Sequence, residues 1–159
     1  MDQFTRRIIG FGVHAGDVEG RALCRMFNKA TSRMGICRYI SSDHDPLFSF
    51  QQWQANLRVL GVEELKTIPY MPLSHPFNER LIGTIRREYL DHTLFWSADD
   101  LECKLADFRA YYNGYRVHCA LEGNTPSEMS GEPVLGRAGL AHYRWIRHCR
   151  GLFQTPIMA

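Results

Sequence analysis

The sequence lacks the features that mark several large classes of protein. It has no apolar run near the roughly 20 residues that a membrane-spanning helix requires, and its first seven residues hold no apolar core of the kind found in secretory signals. Its five cysteines are odd in number, widely spaced and without a C-x-x-C pair, which disfavours a Cys/His zinc site. We therefore expect reduced, mostly buried thiols in a cytoplasmic protein that has no membrane partner.

A strong excess of one charge is also missing. Nineteen Lys and Arg against 17 Asp and Glu give a net charge of +2, which is too mild to indicate a nucleic-acid partner from composition alone. The 159 residues are 45% hydrophobic and 23% charged, as in ordinary globular proteins. One compact domain is therefore the simplest expectation.

Strand-like and helix-like patterns alternate along the first 90 residues. The predicted elements, in chain order, are a strand over 7–13, a helix over 17–33 capped by Asp17, a strand over 36–41, a helix over 49–60, a strand over 64–68, and helices over 79–90 and 97–113. Turn residues dominate from Gly114 to about residue 142. This alternation is typical of an α/β fold.

Two acidic residues stand at the ends of predicted rigid elements. Asp43 directly follows a strand and Glu79 begins a helix, with 79 − 43 − 1 = 35 residues between them. Two such carboxylates can share a divalent cation, because Mg²⁺ prefers hard oxygen ligands. With 17 acids in the chain, however, such a pair is more often two solvated surface residues.

The residues around these two acids resemble a known family. The stretches 40–45 and 69–79 are similar to the second and third acidic motifs of the integrase core shared by retroviral integrases and bacterial insertion-sequence transposases. The similarity continues through residues 79–90 and through a later set of matching positions, and it covers about residues 1–130. That set is Tyr111, Tyr112, Asn113, Arg116, His118, Leu121, Thr125 and Pro126.

The resemblance implies both a fold and a chemistry. The fold would be a ribonuclease H-like mixed sheet flanked by helices, and the activity would be cutting and joining of DNA at element ends and target by a homo-oligomer near the bacterial nucleoid. Asp43 and Glu79 match the second and third acids of a three-carboxylate site for two Mg²⁺ or Mn²⁺ ions. Arg86, in the place of a basic family residue, would contact DNA, with Arg87 and Arg80 as weaker candidates.

The first acid of the family has no counterpart in this sequence. We expect the chain to begin two strands late, since residues 1–10 resemble the hairpin and third strand of the family and Asp2 matches a hairpin position. Whether the chain is an enzyme is therefore uncertain, and in isolation it is expected to be inactive. It would be either part of a transposase completed by an upstream portion, or a non-catalytic DNA-binding remnant that interferes with transposase assembly.

Several residues have more than one reading. Arg86 can be a DNA contact or a solvated charge, and Tyr111, Tyr112 and Trp96 can be a base-stacking platform or, more often, core. His44 and Asp45 are weak candidates for metal ligands. Residues 131–159 form a C-terminal extension, basic from Arg137 onward, which either contacts DNA phosphates or is simply solvated. A ribonuclease acting on RNA–DNA hybrids is a third, less favoured function.

Overall fold

The structure is a computed structural model, and it describes residues 1–32, 35–67, 76–133, 136, 138–139 and 141–159. Its helices are α1 (Gly20–Thr31), α2 (Gln51–Leu60), α3 (Pro76–Glu88), α4 (Ala98–Gly114) and the single turn α5 (Pro126–Met129). Its strands are β1 (Tyr39–Ser42), β2 (Glu63–Lys66), β3 (Tyr143–His148) and β4 (Phe153–Met158). None of the helices in this described part is long and apolar enough to cross a membrane.

A strand–helix–strand unit forms the part of the fold that carries Asp43. β1 and β2 are parallel, in a register that pairs Tyr39 with Glu63 and Ser42 with Lys66, and α2 connects them. Helix α2 ends at Gly61, whose positive φ of 67° lets its N–H reach back to the last carbonyls. Trp53 and Leu57 of α2 are buried. The unit confirms the α/β class and the predicted order of these elements.

A second core joins α3 to α4. Tyr89 and Phe108 are fully buried and their rings stack with centroids 5.3 Å apart. Ile85 and Tyr112 belong to the same cluster, and Leu81 and Tyr111 pack against it. These positions confirm the prediction that Leu81 and Ile85 face the core, and the interpretation of Tyr111 and Tyr112 as core residues. For Trp96 the core interpretation is wrong, because this residue is 87% exposed.

Residues 7–13 are not a strand, so that prediction is wrong. The segment has no regular secondary structure, and the backbone N–H and C=O of Ile8 bond to the side-chain amide of Asn113 on α4, at 2.9 and 3.0 Å. Arg109 donates to the carbonyl of Ile9. A Cβ on Gly10 would lie 2.8 Å from Ala30 of α1. Side chains of α4 therefore form hydrogen bonds with this backbone that a neighbouring strand would form in a sheet.

Helix boundaries differ from the predicted ones at two places. α1 begins at Gly20 with Glu19 as its N-cap, not at Asp17, and a Cβ on Gly20 would lie 2.8 Å from the Gln52 amide oxygen. The close approach of α2 thus sets this helix start. α3 begins at Pro76, three residues before Glu79. Ser97 caps α4 as predicted, accepting the N–H of Asp100.

The C-terminal extension contains an element that the sequence analysis does not predict. β3 and β4 form an antiparallel ribbon in which Tyr143 pairs with Met158 and His148 with Phe153. The five cysteines are free, as expected. The expectation that they are mostly buried is wrong, since only Cys149 is buried, whereas Cys37, Cys103 and Cys119 are exposed.

Candidate active site

Asp43 lies at the carboxyl end of β1 and is exposed to solvent. Its Oδ1 accepts the N–H of Asp45 at 3.0 Å, and Lys66 Nζ donates to its backbone carbonyl at 3.4 Å. Within the described residues, no cation lies within 4.0 Å of its carboxylate. The carboxylate thus faces solvent directly after Ser42, the buried last residue of β1.

A different acid, Glu64, fixes the end of that strand. Its carboxylate accepts hydrogen bonds from Ser42 Oγ at 2.6 Å, Gln54 Nε2 at 2.6 Å and Trp53 Nε1 at 3.1 Å, and Lys66 Nζ lies 3.0 Å away. Burial alone would raise the pKa of Glu64, but these donors outweigh it and lower the pKa from 4.5 to about 2. Glu64 therefore holds β1, α2 and β2 together directly behind Asp43. The sequence analysis missed this role.

Glu79 lies in the first turn of α3 and is exposed. A carboxylate there is favoured by the partial positive charge of the helix N-terminus. Residues 68–75, which connect β2 to this helix, lie outside the described residues, as does the predicted strand end at Ile68. The matching family stretch 69–79 is thus described only from Pro76 onward.

The three candidate DNA-contacting arginines all lie exposed on α3. Arg86 is seven residues after Glu79, about two helical turns, which places it near the same face. Arg87 lies close to Gly83, since a Cβ there would be 3.9 Å from its guanidinium. Arg80, Arg86 and Arg87 form no ion pair with any described carboxylate. Their charge is therefore open to solvent.

The chemistry of the two acids fits a hard divalent cation, but their number does not suffice. The part of the chain that the structure describes contains no group of three or more His, Cys, Asp or Glu side chains that could hold a metal ion. Asp43 and Glu79 remain two exposed carboxylates on separate elements, β1 and α3. The described residues alone do not build a complete metal site.

The neighbours of Asp43 have structural roles. His44 Nε2 lies 2.7 Å from the carbonyl of Thr67, and the Asp45 carboxylate accepts the N–H of Leu47 to cap a 3-10 helix over Pro46–Ser49. Asp2 caps the turn at the N-terminus by accepting the N–H groups of Phe4 and Thr5. Each of the three side chains thus has a structural contact, and the low weight given to His44 and Asp45 as metal ligands stays a prediction.

A charged junction links the end of α3 to the segment after α4. Arg116 donates two hydrogen bonds to Glu88, at 3.0 and 2.7 Å, and its third nitrogen lies 3.2 Å from His118 Nδ1. Burial, and then the charge of Arg116, lower the pKa of His118 to about 4. The imidazole is therefore neutral at pH 7. This junction explains why Arg116 and His118 follow α4 at this spacing.

Comparisons with known proteins agree with the motifs in the sequence. Residues 60–126 match the family model of the integrase core domain. A 39.2 kDa uncharacterized protein of insertion element IS476 from Xanthomonas euvesicatoria is 26% identical over 130 residues, which is 82% of this chain and 37% of that protein. The resemblance to the integrase core of bacterial insertion elements is confirmed. The chain spans little more than a third of this relative.

Solved structures of retroviral proteins share the fold. The catalytic core of BIV integrase has a TM-score of 0.56 at 19% identity, covering 72% of each chain. A simian T-cell lymphotropic virus intasome, solved with PP2A regulatory subunit B56 gamma, has a TM-score of 0.60 at 19% identity and covers 92% of this chain and 55% of that one. The fold is thus that of retroviral integrase catalytic cores.

Proposed function

We propose that this chain is part of a DNA-joining catalytic core, in which Asp43 and Glu79 are two of the acidic ligands for Mg²⁺ or Mn²⁺. The observation that carries the proposal is the placement of Asp43 at the end of β1 and Glu79 in the first turn of α3, within a chain that matches the integrase core over residues 60–126. When bound, two such ions activate a hydroxyl nucleophile and stabilise the leaving oxygen during displacement at phosphorus.

The chain's own residues would have distinct tasks in that reaction. Asp43 and Glu79 supply oxygen ligands from two rigid elements, so their spacing is held by the fold. The exposed Arg86 follows Glu79 along the same helix face and would bind a DNA phosphate beside the site, with Arg87 and Arg80 as further contacts. Glu64 keeps the end of β1 in position without itself being a ligand, because its oxygens already accept four donors.

A further ligand must come from outside this pair, since the described residues hold no group of three. We propose that it belongs to an upstream portion of the same element's transposase, and that the complete enzyme acts as an oligomer on element ends and target DNA in the bacterial cytoplasm. Residues 1–130 would be the core portion and residues 131–159 a basic extension.

Reconstitution tests the catalytic proposal. The chain is mixed with a polypeptide carrying the part of the insertion-element relative that precedes the matched region, and Mg²⁺- or Mn²⁺-dependent strand transfer is measured on a labelled DNA end. Activity is expected in the mixture and should disappear with Glu79→Gln or Asp43→Asn. Glu63→Gln, an exposed acid on β2, is the control and should retain activity. Full activity in Glu79→Gln would refute the assignment, as would an inactive mixture of folded components.

The described residues hold no group of three metal-binding side chains, and we propose as a second function a non-catalytic module that blocks assembly of an intact transposase. Adding the chain to a full-length insertion-sequence transposase with measured strand-transfer activity distinguishes the two functions. A fall in strand transfer that persists with Glu79→Gln would favour the blocking module, whereas restored activity of an upstream fragment favours the enzyme. Cleavage of an RNA–DNA hybrid in place of strand transfer would favour the ribonuclease alternative.

A further inference from the structure

The β3–β4 ribbon has two different faces. One face packs toward α4, where Phe153 stacks on Tyr111 with centroids 4.2 Å apart and nearly parallel rings, and His148 lies 4.0 Å from Tyr115. The other face is exposed throughout and is called here the outer ribbon face. It consists of Tyr143, Trp145 and Arg147 of β3, paired with Met158, Pro156 and Gln154 of β4.

The outer ribbon face presents two large aromatic rings on a hydrogen-bonded backbone. Tyr143 is 47% and Trp145 58% exposed, and their rings meet edge to face at 5.8 Å. Pro156 stands opposite Trp145. Exposed aromatic rings on a sheet are surfaces on which unpaired bases can stack. Such stacking does not depend on base identity, because every base has a π-face.

The charge around these rings is of one sign. Arg147 lies on the same face and Arg144 on the same strand, and neither has a described carboxylate within 4.0 Å. Arg150 lies 3.9 Å from Asp107. The sequence contains no Asp or Glu from residue 133 to its end. This surface therefore complements a polyanion with exposed bases. The aromatic rings can stack on the bases, and the arginines without a described acidic partner can contact the negative charges.

We propose that the outer ribbon face binds single-stranded DNA, with Trp145 and Tyr143 stacking on bases and Arg147 contacting phosphates. The inference rests on the proposed function in taking DNA as the ligand, and it adds the form of DNA and the surface that binds it. The site is separate from the metal-ligand acids, because it lies on β3 and β4. Binding should therefore need no divalent metal.

Fluorescence anisotropy of a labelled oligothymidine of about 12 nucleotides, titrated with the chain in EDTA, tests this proposal. Trp145→Ala should weaken binding roughly 5- to 150-fold, because stacking on one base contributes about 1–3 kcal/mol. Trp145→Phe should recover part of the loss. Phe4→Ala is the matched control, since Phe4 is an aromatic residue that is 78% exposed in the N-terminal turn, and it should bind like the wild type.

The salt dependence of the same titration tests the arginines. Replacing Arg147 with Gln should lower the slope of log affinity against log salt by about 0.7, as expected for one phosphate contact on a single strand. Circular dichroism of every variant verifies the fold. A duplex of the same length should bind more weakly and respond less to Trp145→Ala.

Three outcomes would overturn the proposal: folded Trp145→Ala that binds oligothymidine as tightly as the wild type, an equal loss in Phe4→Ala, or sedimentation showing that Trp145 instead mediates self-association. Oligothymidine binding through Trp145 in a chain that fails reconstitution would support the inference and contradict only the proposed catalysis. Reconstituted strand transfer without Trp145-dependent binding would contradict the inference and support the proposed catalysis.

Discussion

Replacing Glu64 with Gln should destabilise the fold by about 3 kcal/mol at pH 7. The lowering of its pKa from 4.5 to about 2 corresponds to about 3 kcal/mol at 1.36 kcal/mol per unit. The carboxylate is only 9% exposed, so water screens these contacts weakly. In the variant, a neutral amide faces the four donors and leaves the Lys66 charge without its partner.

The difference in unfolding free energy between the wild type and Glu64→Gln should depend on pH, in a direction set by the pKa shift of Glu64. Because folding lowers the pKa of Glu64, its contribution is fully present above the unfolded value of about 4.5 and disappears as the pH falls toward 2. Urea unfolding of the wild type and Glu64→Gln at pH 7, 4 and 3 measures it, and the two curves should converge with acid.

The neighbouring Glu63→Gln is the control, since it removes the same charge from an exposed position of the same strand. Its stability should stay within about 0.5 kcal/mol of the wild type at every pH. An unfolding free energy of Glu64→Gln equal to the wild type at pH 7, or a difference unchanged between pH 7 and pH 3, would show that the four donors do not hold β1 as described.

Two further substitutions probe the packing around the site. Leu57→Ala, at a side chain 2% exposed, should cost about 2–5 kcal/mol in urea unfolding, while Val59→Ala on the same helix, 85% exposed, should cost less than about 0.5 kcal/mol; equal losses would contradict the core assignment. Asn113→Ala should cost about 2–4 kcal/mol because it leaves the N–H and C=O of Ile8 without partners, and unprotected exchange of the Ile8 amide already in the wild type would contradict that bond.

Local patterns in the sequence predict the strand–helix–strand unit well. Trp53 and Leu57 repeat at helical spacing and Gly61 stops the helix, so both the helix and its end are predicted from residues close together in the chain. The strand over 7–13 fails for the opposite reason. Its β-branched composition is real, but a strand requires a backbone partner, and Ile8 bonds to Asn113 about a hundred residues away.

The two unpredicted features depend on contacts that no short pattern encodes. The donors to Glu64 come from β1, α2 and β2, so nothing in residues 60–68 marks that carboxylate as structural. The connection between β3 and β4 places Cys149 and Arg150 at positive φ, which non-glycine residues seldom adopt, so Gly151 is its one conventional turn signal. The run of aromatic and β-branched residues Tyr143, Trp145 and Ile146 was the available strand signal.

The acids of this chain divide by what already surrounds them. Glu64 accepts four donors, Glu88 is paired to Arg116 through two hydrogen bonds, and Asp100 binds Lys104 at 2.6 Å. Asp43 and Glu79 are exposed and unpaired with any described cation. A carboxylate whose oxygens are filled by donors cannot also bind a metal without breaking those bonds. Asp43 and Glu79, like the exposed Glu63, therefore keep carboxylate oxygens available for a cation, whereas Glu64 holds β1, α2 and β2 in place.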